Sequence, residues 1–148
     1  MTGIFMDYMR QALHLAKHAI HHDEVPVGAI LVLNDHIIAQ THNQCVMDCN
    51  SLHHAEMLAI NQGIAHLQTP YLNECTLYVT LEPCPMCAAA LAQARIGKLV
   101  FGAYDPKTGG VEHGPKIFDH AHYKPEIIGG VLENECSELL SNFFKEKR

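Results

Sequence analysis

Two short strings carry metal-ligating and acid–base residue types at close spacing: His54-Ala55-Glu56 and Pro83-Cys84-Pro85-Met86-Cys87. His54, Cys84 and Cys87 offer one imidazole and two thiols, ligand types that suit zinc. Three protein ligands leave one tetrahedral position for water, the layout of a catalytic zinc and not a structural one. Glu56, two residues beyond His54, adds a carboxylate able to shuttle the protons of an activated water. The chemistry these residues point to is hydrolysis.

The spacing sets conditions on the fold. Cys84 and Cys87 are three apart, so they face the same side of the first turn of a helix. The partial positive charge at a helix N-terminus favours the thiolates that zinc requires. Two thiolates neutralise Zn²⁺ and acidify its water less than three histidines would, which makes a separate base useful. His54 and Glu56 would splay apart in mid-helix, so their spacing predicts that His54 stands at the start of its helix. His53 competes for the ligand role, but only His54 has a carboxylate two residues on. Cys45 and Cys49 are the nearby candidates for a fourth ligand that would close the site into a structural zinc; in a loop and four apart, they read better as ordinary thiols. Cys75 and Cys136 read as core cysteines, and His113, His120 and His122 as surface or packing residues.

The elements that must position these groups follow from the hydrophobic pattern. Phe5, Met9, Ala12, Leu13, Ala16 and Ile20 recur at helical spacing, predicting an amphipathic helix over 4–21. Val27–Leu33, a turn at Asn34-Asp35 and His36–Thr41 read as a β-hairpin. Residues 42–53 read as a loop and 54–67 as a second helix. Thr76–Leu81 reads as a buried strand, and Pro83 and Pro85 suit a strand-to-helix turn into a third helix over 86–94. Lys98–Tyr104 reads as a strand ending in the turn-rich Asp105–Gly110. Residues 111–124 are irregular with a short helix near Lys116–His120, Glu126–Leu132 is a weaker strand, and Glu133–Lys147 a terminal helix. Strands alternating with helices after a hairpin imply an α/β sandwich with a mixed sheet.

The chain has 148 residues, 48% of them hydrophobic, and reads as a single domain over 1–148. No apolar run approaches the roughly 20 residues of a membrane span. Asp7 and Arg10 interrupt the N-terminal apolar stretch, so it reads as a helix and not a signal peptide. The expectation is a cytoplasmic protein whose six cysteines are thiols or ligands. The net charge of −6 argues against generic polyanion binding, and no Lys or Arg occurs between Lys17 and Arg95. A nucleic-acid substrate would therefore have to meet the second half of the chain, from Arg95 and Lys98 to Arg148, or the chain ends.

The two metal strings spell the signature of the zinc-dependent cytidine/deoxycytidylate deaminase superfamily. Further strings resemble one family within it, the bacterial tRNA-specific adenosine deaminases: Glu24-Val25-Pro26-Val27-Gly28-Ala29, Thr76-Leu77-Tyr78-Val79-Thr80-Leu81-Glu82-Pro83-Cys84, Arg95-Ile96-Gly97, Val100-Phe101-Gly102-Ala103, Asp105-Pro106-Lys107 and the ending from Glu133 to Phe144. The resemblance implies a three-layer α/β/α sandwich around a five-stranded sheet, with one zinc per chain held by His54, Cys84 and Cys87. It implies hydrolytic attack at C6 of adenine with Glu56 passing protons to the ring and to departing ammonia, giving inosine at the wobble position of a tRNA anticodon loop. Asn43 matches an asparagine that hydrogen-bonds the target base, and Lys107 a basic position near the anticodon backbone. It also implies a homodimer. The family usually carries Pro-Thr-Ala where this chain has Ser51-Leu52-His53. The rival readings are a deaminase of a free nucleobase or nucleotide (cytosine, guanine or deoxycytidylate) and a non-catalytic zinc module.

Overall fold

Asn34 and Asp35 both take positive φ, 49° and 63°, the pairing that reverses a chain in two residues with the twist antiparallel strands need. The expected hairpin forms around them, joining β1 (Gly28–Leu33) to β2 (His36–His42) with a register irregularity at Leu31/Val32. On its other edge β1 pairs antiparallel with β3 (Thr76–Leu81), which pairs parallel with β4 (Lys98–Ala103), and β4 pairs parallel with β5 (Glu126–Ile128). The result is a five-stranded mixed sheet in the order β2-β1-β3-β4-β5. The computed structural model describes residues 3–147; Arg148, counted above among the basic residues, lies outside the described residues.

Period-two alternation distributes the strand side chains between two cores. Ile30, Tyr78 and Val100 face α1 (Gly3–Ile20) and α4 (Glu133–Glu146), packing with Met9, Leu13 and Cys136. Leu31, Leu77, Val79, Leu99 and Phe101 face α2 (Ala55–Leu67), α3 (Pro85–Gln93) and the 3-10 turn Ile117–Asp119, packing with Ala59, Ile60, Leu91 and Phe118. Because helices cover both faces, the central strands are apolar at nearly every position, as a doubly covered sheet demands. This is the α/β sandwich with a mixed sheet that the pattern of elements implies, in the three-layer, five-stranded form that the family resemblance implies.

Most element ends lie within a residue of their expected places; β5 does not. It stops at Ile128 instead of running to Leu132. A Cβ at Gly129 would lie 2.5 Å from the Phe101 ring, and Gly130 has φ +84°, so the chain turns away from the sheet there. Leu132 then starts α4 from a left-handed conformation. No helix among the described residues is long and apolar enough to cross a membrane.

Candidate active site

The helices that follow β2 and β3 begin side by side. His54 caps α2 with extended backbone (φ −68°, ψ 152°), and Glu56 is the second residue of that helix. Cys84 caps α3, also extended (φ −70°, ψ 170°), with Pro85 in the first turn, where its missing N–H costs nothing. The extended caps aim both ligand side chains into the space between the two N-termini. His54 Nδ1 lies 3.6 Å from Cys84 Sγ and 3.4 Å from Cys87 Sγ. A tetrahedral ion with ~2.3 Å bonds to sulfur and ~2.0–2.1 Å to nitrogen separates two such ligands by about 3.6 Å, so the group can hold a metal ion. It has three members among the described residues.

The donor set is electrostatically suited to a cation. The Cys87 thiol and the His54 ring hold the Cys84 thiol at about 4 against the opposing effect of burial, so Cys84 is a thiolate at neutral pH. The same hydrogen bond to Cys84, together with burial, pushes the Cys87 thiol up, and the bond to Cys84 pushes the His54 imidazole up. The three groups thus share protons that a cation would displace. Glu56 is buried, and its burial pushes its carboxyl up to about 7, a value near which one group can both accept and return a proton.

A cavity of about 790 Å³ opens over this cluster, lined among others by Asn43, His54, Glu56, Cys84 and Lys107. Thus Asn43 and Lys107 share one space with His54 and Cys84 of the group that could hold a metal ion. Asn43 follows β2, and its Oδ1 accepts the Ala55 N–H (2.8 Å), capping the first turn of α2. That bond leaves the Nδ2 end as the donor available to the cavity. Lys107 lies in the loop after β4, whose Asp105 carboxylate accepts the Lys107 N–H at 3.2 Å.

Other residues fall outside the metal group. Cys45 Sγ lies 3.7 Å from the Ser51 carbonyl, and Cys49 is exposed. The His53 ring bonds Asp48 Oδ2 at 2.7 Å and contacts Asn50 at 3.0 Å, which occupies it within its own loop. Sequence reasoning missed two buried carboxylates. Glu24 accepts the Val46 and Met47 N–H groups (2.9 and 2.8 Å) and so ties the 43–53 loop to the end of α1. Glu82 grips the opposite loop; burial would raise its carboxyl, but the N–H groups around it hold it below the usual range. The available signal was a charged residue inside an apolar string. Nor did the sequence show that α4, an expected helix, walls the cavity with Ser137, Leu140, Ser141 and Phe144.

Residues 5–148 match the MafB19-like deaminase family model, so the fold and the three-ligand site together define a deaminase. A tRNA-specific adenosine deaminase of Bacillus subtilis (strain 168) is 47% identical over 143 residues, 95% of this chain and 89% of that protein. A solved structure from a study of A-to-I editing by tRNA:A34 deaminases at the wobble position of transfer RNA superposes with a TM-score of 0.88 at 42% identity, covering 90% of this chain and 99% of that one. A guanine deaminase from Nitrosomonas europaea shares the fold, with a TM-score of 0.81 at 23% identity over 93% of this chain and 83% of that one. The chain belongs to the tRNA-specific adenosine deaminase family.

Proposed function

We propose that this protein is a zinc-dependent hydrolase that deaminates adenosine to inosine at the wobble position (34) of tRNA, working as one domain over residues 1–148. The observation that carries the reading is the meeting of His54, Cys84 and Cys87, with His54 Nδ1 3.6 Å from Cys84 Sγ and 3.4 Å from Cys87 Sγ, and with buried Glu56 lining the same cavity. The family relationship selects the substrate. One zinc ion per chain, held by His54, Cys84 and Cys87, would supply a Lewis acid that polarises and acidifies water.

The chain's own residues do the rest. Glu56 takes a proton from the attacking water, gives it to the adenine ring, and returns a second proton to the leaving amine. The water oxygen bonds to C6, the bond from C6 to its amino nitrogen breaks, and ammonia leaves. The Asn43 Nδ2 group donates to a ring-nitrogen acceptor on the base edge. The Lys107 ammonium meets backbone phosphate. A single-stranded anticodon loop suits the site, because a base there is extruded at less cost than from a duplex.

We take the working form to be a homodimer. Val46, Met47 and Leu52, all exposed on one loop, form the apolar surface that a second copy would cover. The cytoplasm is the matching compartment, since Cys84 and Cys87 must stay reduced to serve as ligands. The test is a substrate panel: the zinc-loaded protein should release ammonia from an anticodon stem-loop with A at the wobble position and not from free adenosine, cytosine or guanine. Turnover confined to a free base or nucleotide would replace this reading with a small-molecule deaminase.

A further inference from the structure

Glu82 sits at the end of β3, two residues before Cys84, and is 1% exposed. A buried carboxylate needs donors, and all of those it finds come from one loop. Oε1 accepts the Asp105 N–H at 3.0 Å and the His113 Nδ1–H at 2.8 Å. Oε2 accepts the N–H groups of Val111 (3.2 Å), Glu112 (2.9 Å) and His113 (3.1 Å). Both ends of the 105–113 loop therefore close on a single side chain.

Asp105 passes the constraint on to the cavity mouth. Its N–H is held by Glu82, while its carboxylate accepts the N–H groups of Lys107 (3.2 Å) and Thr108 (3.0 Å) and the Thr108 hydroxyl (2.6 Å). The loop also lies flat on the metal-ligand turn. A Cβ on Gly109 would come within 2.5 Å of Glu82 Oε2, and one on Gly110 within 2.5 Å of Pro85 N. The Gly110 N–H donates to the Pro83 carbonyl at 2.8 Å. The outer face of the His113 ring packs edge-on against Tyr104, with centroids 6.0 Å apart, and Tyr104 lines the cavity.

We propose that Glu82 and His113 form a positioning latch that pre-orders the 105–113 loop, and with it Lys107, for a polyanionic substrate. This rests on the reading that the substrate is an RNA loop. Neither residue is assigned to the chemistry. The latch acts on binding: a loop already ordered loses little freedom when the RNA docks, whereas a slack loop must be ordered at that moment. Among the described residues, His113 supplies the one side-chain donor of the five bonds to Glu82.

The test compares wild type, His113→Ala and His113→Asn, each zinc-loaded, in stem-loop kinetics and in amide hydrogen exchange. Asparagine places an N–H donor close to where the histidine Nδ1–H stands. For His113→Ala the expected result is a KM raised on the order of tenfold, the effect of about one charge-assisted hydrogen bond, with kcat and zinc content unchanged. Exchange at Asp105, Val111 and Glu112 should accelerate while exchange at Leu31 in β1 does not. His113→Asn should restore most of both. A KM and loop exchange untouched by His113→Ala would overturn the latch, as would a fall in kcat at constant KM. If wild type fails to deaminate the stem-loop, the functional reading falls, and the exchange comparison alone decides whether the latch exists.

Discussion

Asn43 is assigned two tasks, one for each end of its amide, and two substitutions separate them. Oδ1 caps α2 through the Ala55 N–H at 2.8 Å; Nδ2 is free to donate to the substrate base. Asn43→Asp keeps the cap, and places negative charge at a helix N-terminus, which contributes about 0.3–1 kcal/mol. Asn43→Ala removes the cap, costing about 1 kcal/mol, or roughly 2–4 °C in Tm for a domain of this size. On the substrate side alanine simply loses one hydrogen bond, about 0.5–1.5 kcal/mol, a loss of up to about tenfold in kcat/KM. Aspartate does worse, because it turns an acceptor toward an acceptor and leaves a desolvated group unpaired, about 1–3 kcal/mol or roughly 5–150-fold. Thermal melting and stem-loop kinetics should therefore rank the variants in different orders: aspartate the more stable and the less active, alanine the less stable and the more active. An aspartate variant with wild-type kcat/KM, or activity that simply follows Tm, would refute the assignment of the Nδ2 end to the base.

Replacing Glu56 with Gln should leave fold and zinc content intact and lower kcat by about 10²–10⁴, with near-normal turnover refuting the proton-shuttle role. Stripping zinc with a chelator should abolish activity and lower Tm, and adding zinc back should restore both by mass action; a Tm indifferent to chelator would show that His54, Cys84 and Cys87 hold no stabilising ion. Lys107→Ala should weaken stem-loop binding and flatten the slope of log K against log salt by about one, measured by fluorescence titration; an unchanged slope would remove Lys107 from the phosphate contacts. Val46→Asp should convert a dimer to monomers in sedimentation equilibrium, and an unchanged mass would place the dimer contact elsewhere.

The parts of this protein that were legible in advance are those whose cause is local. The hairpin turn needs only Asn34 and Asp35 in left-handed backbone. The position of His54 at the start of α2 follows from the two-residue step to Glu56, and the structure places it there as the cap. What stayed hidden depends on partners remote in sequence. Glu24 and Glu82 take their meaning from backbone N–H groups 22 to 31 residues away, and no side-chain pattern marks an amide donor. His113 read as a surface or packing residue for the same reason: its partner, Glu82 just after β3, is 31 residues away in sequence. The early end of β5 depends on the Phe101 ring filling the space beside Gly129, a tertiary contact that overrides the strand propensity of Val131. The wall contributed by α4 shows in the helix pattern only as an apolar face, which does not say that part of the face looks into the cavity and not the core.

In the proposed reaction the wobble adenosine is deaminated hydrolytically at the site made by His54, Cys84, Cys87 and Glu56. Mass spectrometry of an anticodon stem-loop incubated with the zinc-loaded protein in heavy-oxygen water tests it most directly. The expected product carries inosine at the wobble position with its new oxygen drawn from the solvent, and Glu56→Gln under the same conditions forms it about 10²–10⁴ times more slowly. Adenosine recovered unchanged from a folded, zinc-replete wild-type sample would contradict it.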